Sequence, residues 1–334
     1  LGSGGPPKGL PAVAAFEVHS RRITRVLAGN PGRFTLGGTN TYVVGVGRTR
    51  TLIDAGEGKG EYVKALAEAC RRLECTVGTV LITHSHADHV GGVASVKRLF
   101  PDAVVYKCAP RAGMEPLEDG QIFRVDDETS LRVLFTPGHC FDHCCFVLPE
   151  ENALFAGDNV LGFGTSWFED IRQYLSSLRR MRDLVDDGWS LYPGHGPVLA
   201  DAHAAIRAYL DHRLDREHHV LRCLRHQAAE VASSSSSSSD SHDDDRDRLV
   251  APSSSSSSSS KEGAAVSLTS LQLVRRVYGP SLPASLVFAA QSNVRAHLRN
   301  LAASALVRNC RADLWVASSE RGEAKTPGSL LGAS

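Results

Sequence analysis

Thr83-His84-Ser85-His86-Ala87-Asp88-His89 places three imidazoles and one carboxylate within six positions, straight after the apolar run Val80-Leu81-Ile82. Imidazole nitrogen and carboxylate oxygen suit zinc, or manganese and iron where carboxylate is plentiful. At the end of a strand, residues two apart point to one side, so His84 and His86 share a direction. The turn that follows swings Asp88 and His89 to a second position. The stretch therefore offers two donors to each of two ions. A polar loop of solvated histidines would explain a single His, but not this spacing.

Two ions held by four residues would be under-coordinated, so distant segments must contribute. Leu134-Phe135-Thr136-Pro137-Gly138-His139 and Leu191-Tyr192-Pro193-Gly194-His195-Gly196 each end an apolar run in a Pro-Gly turn that presents a histidine, and Ala153-Leu154-Phe155-Ala156-Gly157-Asp158 ends one on an aspartate. Each turn alone is an ordinary signal. In this order, the four motifs resemble the metallo-β-lactamase superfamily. The resemblance implies that His84, His86 and His139 hold one ion, that Asp88, His89 and His195 hold the other, and that Asp158 bridges both. It also matches Asp54, in Thr51-Leu52-Ile53-Asp54-Ala55-Gly56, to an early aspartate that orients a ligand by hydrogen bonding. His143, four residues after His139, either supports the site or acts on the substrate, and stays outside the ligand set.

Two divalent cations roughly 3.5 to 4 Å apart lower the pKa of a bridging water and stabilise attacking and leaving oxygens alike. Zinc is the expected ion, with manganese or iron as alternatives. Asp88 and Asp158 would then serve hydrolysis of a polarised P–O or C=O centre by metal-bound hydroxide, with His143 as a candidate proton donor. No serine or cysteine nucleophile motif surrounds Ser85 or Cys140. Di-iron redox relatives carry a flavin-binding partner domain that this chain does not show.

The elements that must position these residues follow from hydropathy patterning. Strand-like runs at 23–26, 41–46, 51–53, 79–82, 104–106 and 131–135 alternate with helical patterns near 61–73 and 90–99. Further strands at 145–148, 153–155 and 190–192 surround a helix near 171–185. This order predicts layered sheets with helices outside, an α/β (α+β) arrangement; the resemblance implies a four-layer αββα sandwich. The expected organisation is a flexible segment over 1–20, a metallo-β-lactamase domain over 21–200, a connecting helix over 201–231, a disordered serine- and aspartate-rich linker over 232–263, a winged-helix-like domain over 264–317 and a flexible tail over 318–334. With 334 residues and 42% hydrophobic content a large core is expected, and no run approaches the roughly 20 apolar residues of a membrane span. Eight cysteines show no zinc-ribbon or disulfide framework, which points to a reducing compartment, cytoplasm or mitochondrial matrix. The chain starts at Leu1, so no targeting segment is read from it.

Substrate is the harder question. Thirty-seven basic and 37 acidic residues cancel over the chain, which argues against indiscriminate nucleic-acid binding. Residues 264–316 differ, with Arg275, Arg276, Arg295, Arg299, Arg308 and Arg311 against Asp313 alone. Asn30-Pro31-Gly32, Gly37 to Tyr42, Phe168-Glu169-Asp170 and Tyr174 to Leu178 look like the β-lactamase-like endoribonuclease group, a glyoxalase-II-like branch, which implies single-stranded RNA as substrate. The same segments resemble fungal polyketide-pathway thioesterases of the metallo-β-lactamase type and, more loosely, hydroxyacylglutathione hydrolases, which implies an acyl thioester. RNA is the main expectation and the thioester its alternative. Asn40 and Phe168 are expected at the substrate pocket, and Arg295 and Arg299 at an RNA backbone.

Overall fold

The computed structural model describes residues 5–236, 267–311 and 313–318. Most of the segment expected to be a disordered linker, and nearly all of the expected tail, lie outside the described residues. The chain forms two compact units, 1–213 and 214–334.

In the first unit, one sheet holds seven strands in chain order. They are β1 (Phe16–Val18), β2 (Ile23–Leu27), β3 (Asn40–Val44), β4 (Thr49–Ile53), β5 (Thr76–Ile82), β6 (Val104–Lys107) and β7 (Glu115–Pro116). The first four pair antiparallel, and β4 to β7 run parallel. A second sheet has the order β12-β11-β10-β9-β8, built from β8 (Ile122–Asp126), β9 (Thr129–Phe135), β10 (Cys144–Leu148), β11 (Ala153–Gly157) and β12 (Ser190–Pro193). β1 falls inside the segment expected to be flexible, where Phe16, Glu17 and Val18 pair with Val26, Arg25 and Thr24.

Alternation along the strands creates two cores. Val43, Leu52, Val80 and Ile82 point away from the second sheet and pack with Tyr62, Leu66 and Ala69 of helix α1 (Gly60–Arg72) and Val96 of α3 (Val93–Leu99). Their neighbours Tyr42, Val44, Ile53 and Leu81 face inward and meet Val133, Phe146 and Phe155 of the second sheet. On that sheet's outer side, α4 (Ile171–Leu184) buries Tyr174, Leu175, Leu178 and Met181, and its N-cap Asp170 accepts hydrogen bonds from the N–H groups of Arg172 and Gln173. The layers are therefore helix, sheet, sheet, helix, as expected.

Patterning over 90–99 predicted one helix; the chain forms two, α2 (Ala87–Val90) and α3. Gly91-Gly92 separates them because the backbone passes Ala55: a Cβ on Gly92 would lie 1.9 Å from the Ala55 carbonyl oxygen. That close passage seats the His84–His89 turn against the end of β4.

Helix α5 (Ala202–Ser236) begins in the first unit and continues into the second. The second unit gathers Val220, Leu221 and Leu224 of α5 with α6 (Ser270–Tyr278), α7 (Ala284–Ala303) and a three-stranded sheet ordered β13-β15-β14, from β13 (Leu268–Thr269), β14 (Val307–Arg311) and β15 (Leu314–Ala317). Leu273, Val274, Val294, Leu298 and Trp315 fill its core. A capping box between Thr269 and Gln272 starts α6. Helices closed by a small antiparallel sheet are the winged-helix-like module that the sequence predicted.

Candidate metal centre

Four strand ends and turns bring the seven expected ligands together. The turn after β5 carries His84, His86, Asp88 and His89, the turn after β9 carries His139, β11 ends beside Asp158, and β12 leads to His195. Two groups of donor atoms result, each within 4.8 Å of one another: His84, His86, His139 and Asp158, then Asp88, His89, Asp158 and His195. Asp158 belongs to both. One of its oxygens is 3.3 Å from Nε2 of His195 and 3.8 Å from Nε2 of His139, and the other is 3.4 Å from Nε2 of His89.

The outer partners fix which nitrogen of each ring faces inward. Thr83 Oγ1 lies 2.9 Å from Nδ1 of His84, an Asp54 oxygen 2.7 Å from Nδ1 of His89, the Trp167 carbonyl 2.7 Å from Nδ1 of His139, and the Gly38 carbonyl 3.4 Å from Nδ1 of His195. Each partner can accept a proton, so in the neutral rings the N–H sits on Nδ1 and the Nε2 lone pair faces the cluster. His86 turns the other way: its Nδ1 is 2.9 Å from Nε2 of His84 and 3.0 Å from Nε2 of His139. Convergent lone pairs around a buried carboxylate whose Oδ1 finds no hydrogen-bond donor suit a cation. The donor set of imidazole and carboxylate fits zinc, manganese or iron.

Asp54 is the hub of this scaffold. It is 2% exposed and adopts φ of 61°, a left-handed conformation that aspartate tolerates better than most residues. Its carboxylate accepts from the Thr83 N–H at 2.8 Å, the Thr83 hydroxyl at 2.9 Å and His89. Gly194 is needed for the last approach, since a Cβ there would stand 2.3 Å from an Asp158 oxygen.

Three expected contributors take other positions. His143 is 1% exposed; its Nε2 accepts from the Asp158 N–H at 3.1 Å, and its Nδ1 lies 3.0 Å from the Thr136 hydroxyl. With Nε2 accepting, its one N–H lies on Nδ1 and is directed at the Thr136 hydroxyl, so His143 braces the backbone of Asp158. Asn40, expected at the substrate pocket, is buried and donates to the carbonyls of Pro193 and Gly196 at 2.9 and 2.8 Å, which pins the loop of His195. Phe168 is buried too, stacked on Tyr174 with the Arg213 guanidinium 4.9 Å from its ring centre. Arg213 also donates to the Ser166 carbonyl, so this group steadies the segment whose Trp167 carbonyl holds His139. In the second unit Arg295 pairs with Asp313 at 3.1 Å and donates to Ser270, while Arg299 is exposed.

Burial lowers the pKa of His139 to about 4 and that of His84 well below the ordinary value. Burial opposes charge on His195 as well, but Asp158 and Asp88 outweigh it and raise that pKa to about 9. His89 is likewise raised, by Asp158, Asp88 and Asp54 against its burial. An ion entering the second group must therefore displace protons at neutral pH, whereas His84 and His139 have none to release. Zinc affinity of the second group is expected to fall by about tenfold per pH unit, for each proton displaced, as pH drops from 9 to 7, with the first group unchanged. Competition titrations against a chromophoric chelator at several pH values check this; equal slopes for the two groups would refute it. Without metal the sign reverses. The raised His195 stabilises the fold fully below its unfolded pKa of about 6.5, and that contribution is lost as pH rises through about 9.

Two packed sheets flanked by helices, with His and Asp clusters at the strand ends, define a metallo-β-lactamase-fold hydrolase with a potential dinuclear metal site. The metallo-β-lactamase superfamily model matches residues 34–109, and a β-lactamase-associated winged helix domain matches 269–315. The lactamase-like protein adaB of Aspergillus niger is 43% identical over 232 residues, 69% of this chain and 72% of that protein. An atrochrysone carboxyl ACP thioesterase of Aspergillus fumigatus is 40% identical over 66% of this chain and 71% of its own length, and one of Aspergillus terreus is 44% identical over 67% and 70%. The chain belongs to the metallo-β-lactamase superfamily. Its fold is shared with a β-lactamase domain protein of Burkholderia ambifaria, with a TM-score of 0.70 at 15% identity, covering 94% of this chain and 97% of that one. No described helix is long and apolar enough to cross a membrane.

Proposed function

We propose that the protein hydrolyses an acyl thioester, most specifically one carried on an acyl carrier protein, releasing a carboxylic acid and a thiol. The observation that carries this reading is the likeness, at 40 to 44% identity, to proteins named as ACP thioesterases, joined to a site that holds all seven donors for two ions. In this reading His84, His86, His139 and Asp158 hold one ion, and Asp88, His89, His195 and Asp158 the other. When bound, two divalent cations would polarise the thioester carbonyl and activate water.

The chain's own residues supply the frame for that chemistry, and the two nucleophile types adjoining the donors in sequence, Ser85 and Cys140, are both engaged by one carboxylate. Ser85 donates to Asp142 at 2.6 Å. Cys140 is buried, donates to the same carboxylate at 3.2 Å, and has its thiol pKa pushed up by burial and by Asp142. Trp167, 39% exposed with its ring 6.2 Å from that of His139, offers an apolar surface beside the cluster on which an acyl chain can rest.

RNA was the main expectation from sequence, but the relatives above whose names state an activity are named as thioesterases. Arg295 is also committed to Asp313 within its own unit. Purified zinc-loaded protein should therefore release thiol from acyl-carrier and small acyl thioesters, followed with a thiol-reactive dye, while leaving single-stranded RNA intact. RNA cleavage without thiol release would reverse the assignment.

A further inference from the structure

Lys107, the last residue of β6, is 0% exposed, and its ammonium meets the carboxylate of Asp142, itself 4% exposed, and the Ala109 carbonyl at 3.2 Å. The Asp142 carboxylate is shared further. One oxygen accepts from Ser85 Oγ at 2.6 Å, and the other from Cys140 Sγ at 3.2 Å. Ser85 lies between His84 and His86, and Cys140 directly follows His139. A single carboxylate thus ties the turn after β5 to the turn after β9, the two turns that carry the three histidines of the first group, and Lys107 anchors it from a third strand.

Stability alone gives a weak reason for such a pair. Removing two ions from water costs several kcal/mol each, and well-packed apolar residues in their place are often neutral or better. A carboxylate that bonds two ligand-bearing turns does what an apolar pair cannot: it fixes their separation and orientation. We propose that Asp142, held by Lys107, is a positioning residue for the first metal group, setting the His84–His86 turn against His139 at the spacing an ion requires. The inference rests on the reading that this group binds an ion.

The test is zinc affinity, measured by chelator competition on the full chain in a His195→Ala background, where the first group is the sole complete donor set. Ser85→Ala removes one hydrogen bond to a charged acceptor and should weaken binding by about tenfold. Asp142→Asn should weaken it by about 10- to 100-fold, but leaves Lys107 buried without its counter-ion and can unfold the chain. Lys107→Met with Asp142→Leu removes both charges together. That double variant should melt at or near the parent Tm while still binding zinc about 10- to 100-fold more weakly. A purely structural pair would give the opposite pattern, a lowered Tm with unchanged affinity, and that result overturns the proposal. Should the double variant fail to fold, parent-like affinity in Ser85→Ala overturns it instead. Absence of zinc binding in the His195→Ala parent would defeat the metal reading itself, a distinct outcome.

Discussion

Asp158→Ala should abolish the proposed thioester hydrolysis and leave neither donor group able to hold its ion. Asp158 is the one residue common to the two donor groups, so its loss opens both, whereas removal of any histidine opens one. Metal ions contribute several kcal/mol of transition-state stabilisation, and at 1.36 kcal/mol per tenfold the fall in kcat/KM should be about a thousandfold or more. The fold should survive, because the anchor of this turn is the backbone N–H of Asp158 on His143 and alanine keeps it. Metal content by elemental analysis, thiol release and far-ultraviolet circular dichroism together check the prediction. A folded Asp158→Ala protein with two bound ions and ordinary turnover would refute the shared-ligand reading.

Asp54→Ala should be nearly as damaging by a different route. Asp54 offers no atom to either donor group, yet its carboxylate accepts from His89 and twice from Thr83, which in turn meets His84. Alanine would leave the buried Thr83 N–H and the His89 Nδ1–H without acceptors, at about 1–3 kcal/mol each. It also puts a side chain with no local hydrogen bonding at a positive φ. Tm should fall by several degrees, and metal affinity by about 10- to 100-fold. Asp54→Asn retains an acceptor oxygen and should recover part of the Tm but less of the affinity, because its amide can present N–H where His89 needs an acceptor. Wild-type affinity in both variants would remove Asp54 from the metal scaffold.

The convergence of the candidate donors was legible because their chemistry is confined to few residue types and their position to strand ends. His84, His86, Asp88, His89, His139, Asp158 and His195, with Asp54 behind them, all follow from apolar runs closed by a turn and a polar residue. Accessibility was not legible. Asn40 and Phe168 looked like pocket residues by type and place, but Asn40 spends its amide on the carbonyls around His195, and Phe168 sits beneath Arg213. Arg295 shared a helical face with Arg299 in the sequence, and only the fold brings Asp313 beside it. The Lys107–Asp142 pair left no local signal either, since its partners are 35 residues apart and β6 otherwise alternates like any buried strand. Thr83 was quoted inside the motif without a role, and the Trp167 carbonyl, a backbone group, carries no residue-type signal. Metal ligands in turn say little about substrate, because phosphodiester and thioester hydrolysis need the same donors.

The outward-facing nitrogens of His84, His89, His139 and His195 have one more consequence. Each ring is tethered by an acceptor that belongs to the protein, so its rotational freedom is spent when the chain folds and not when an ion arrives. The empty and loaded rings would then share one orientation, and exchange of one divalent ion for another would need no rearrangement of these four. A frame so rigid discriminates among similar ions chiefly by the order in which imidazole and carboxylate prefer them. Which ion a cell supplies, more than any adjustment of the protein, would then decide which one the centre carries.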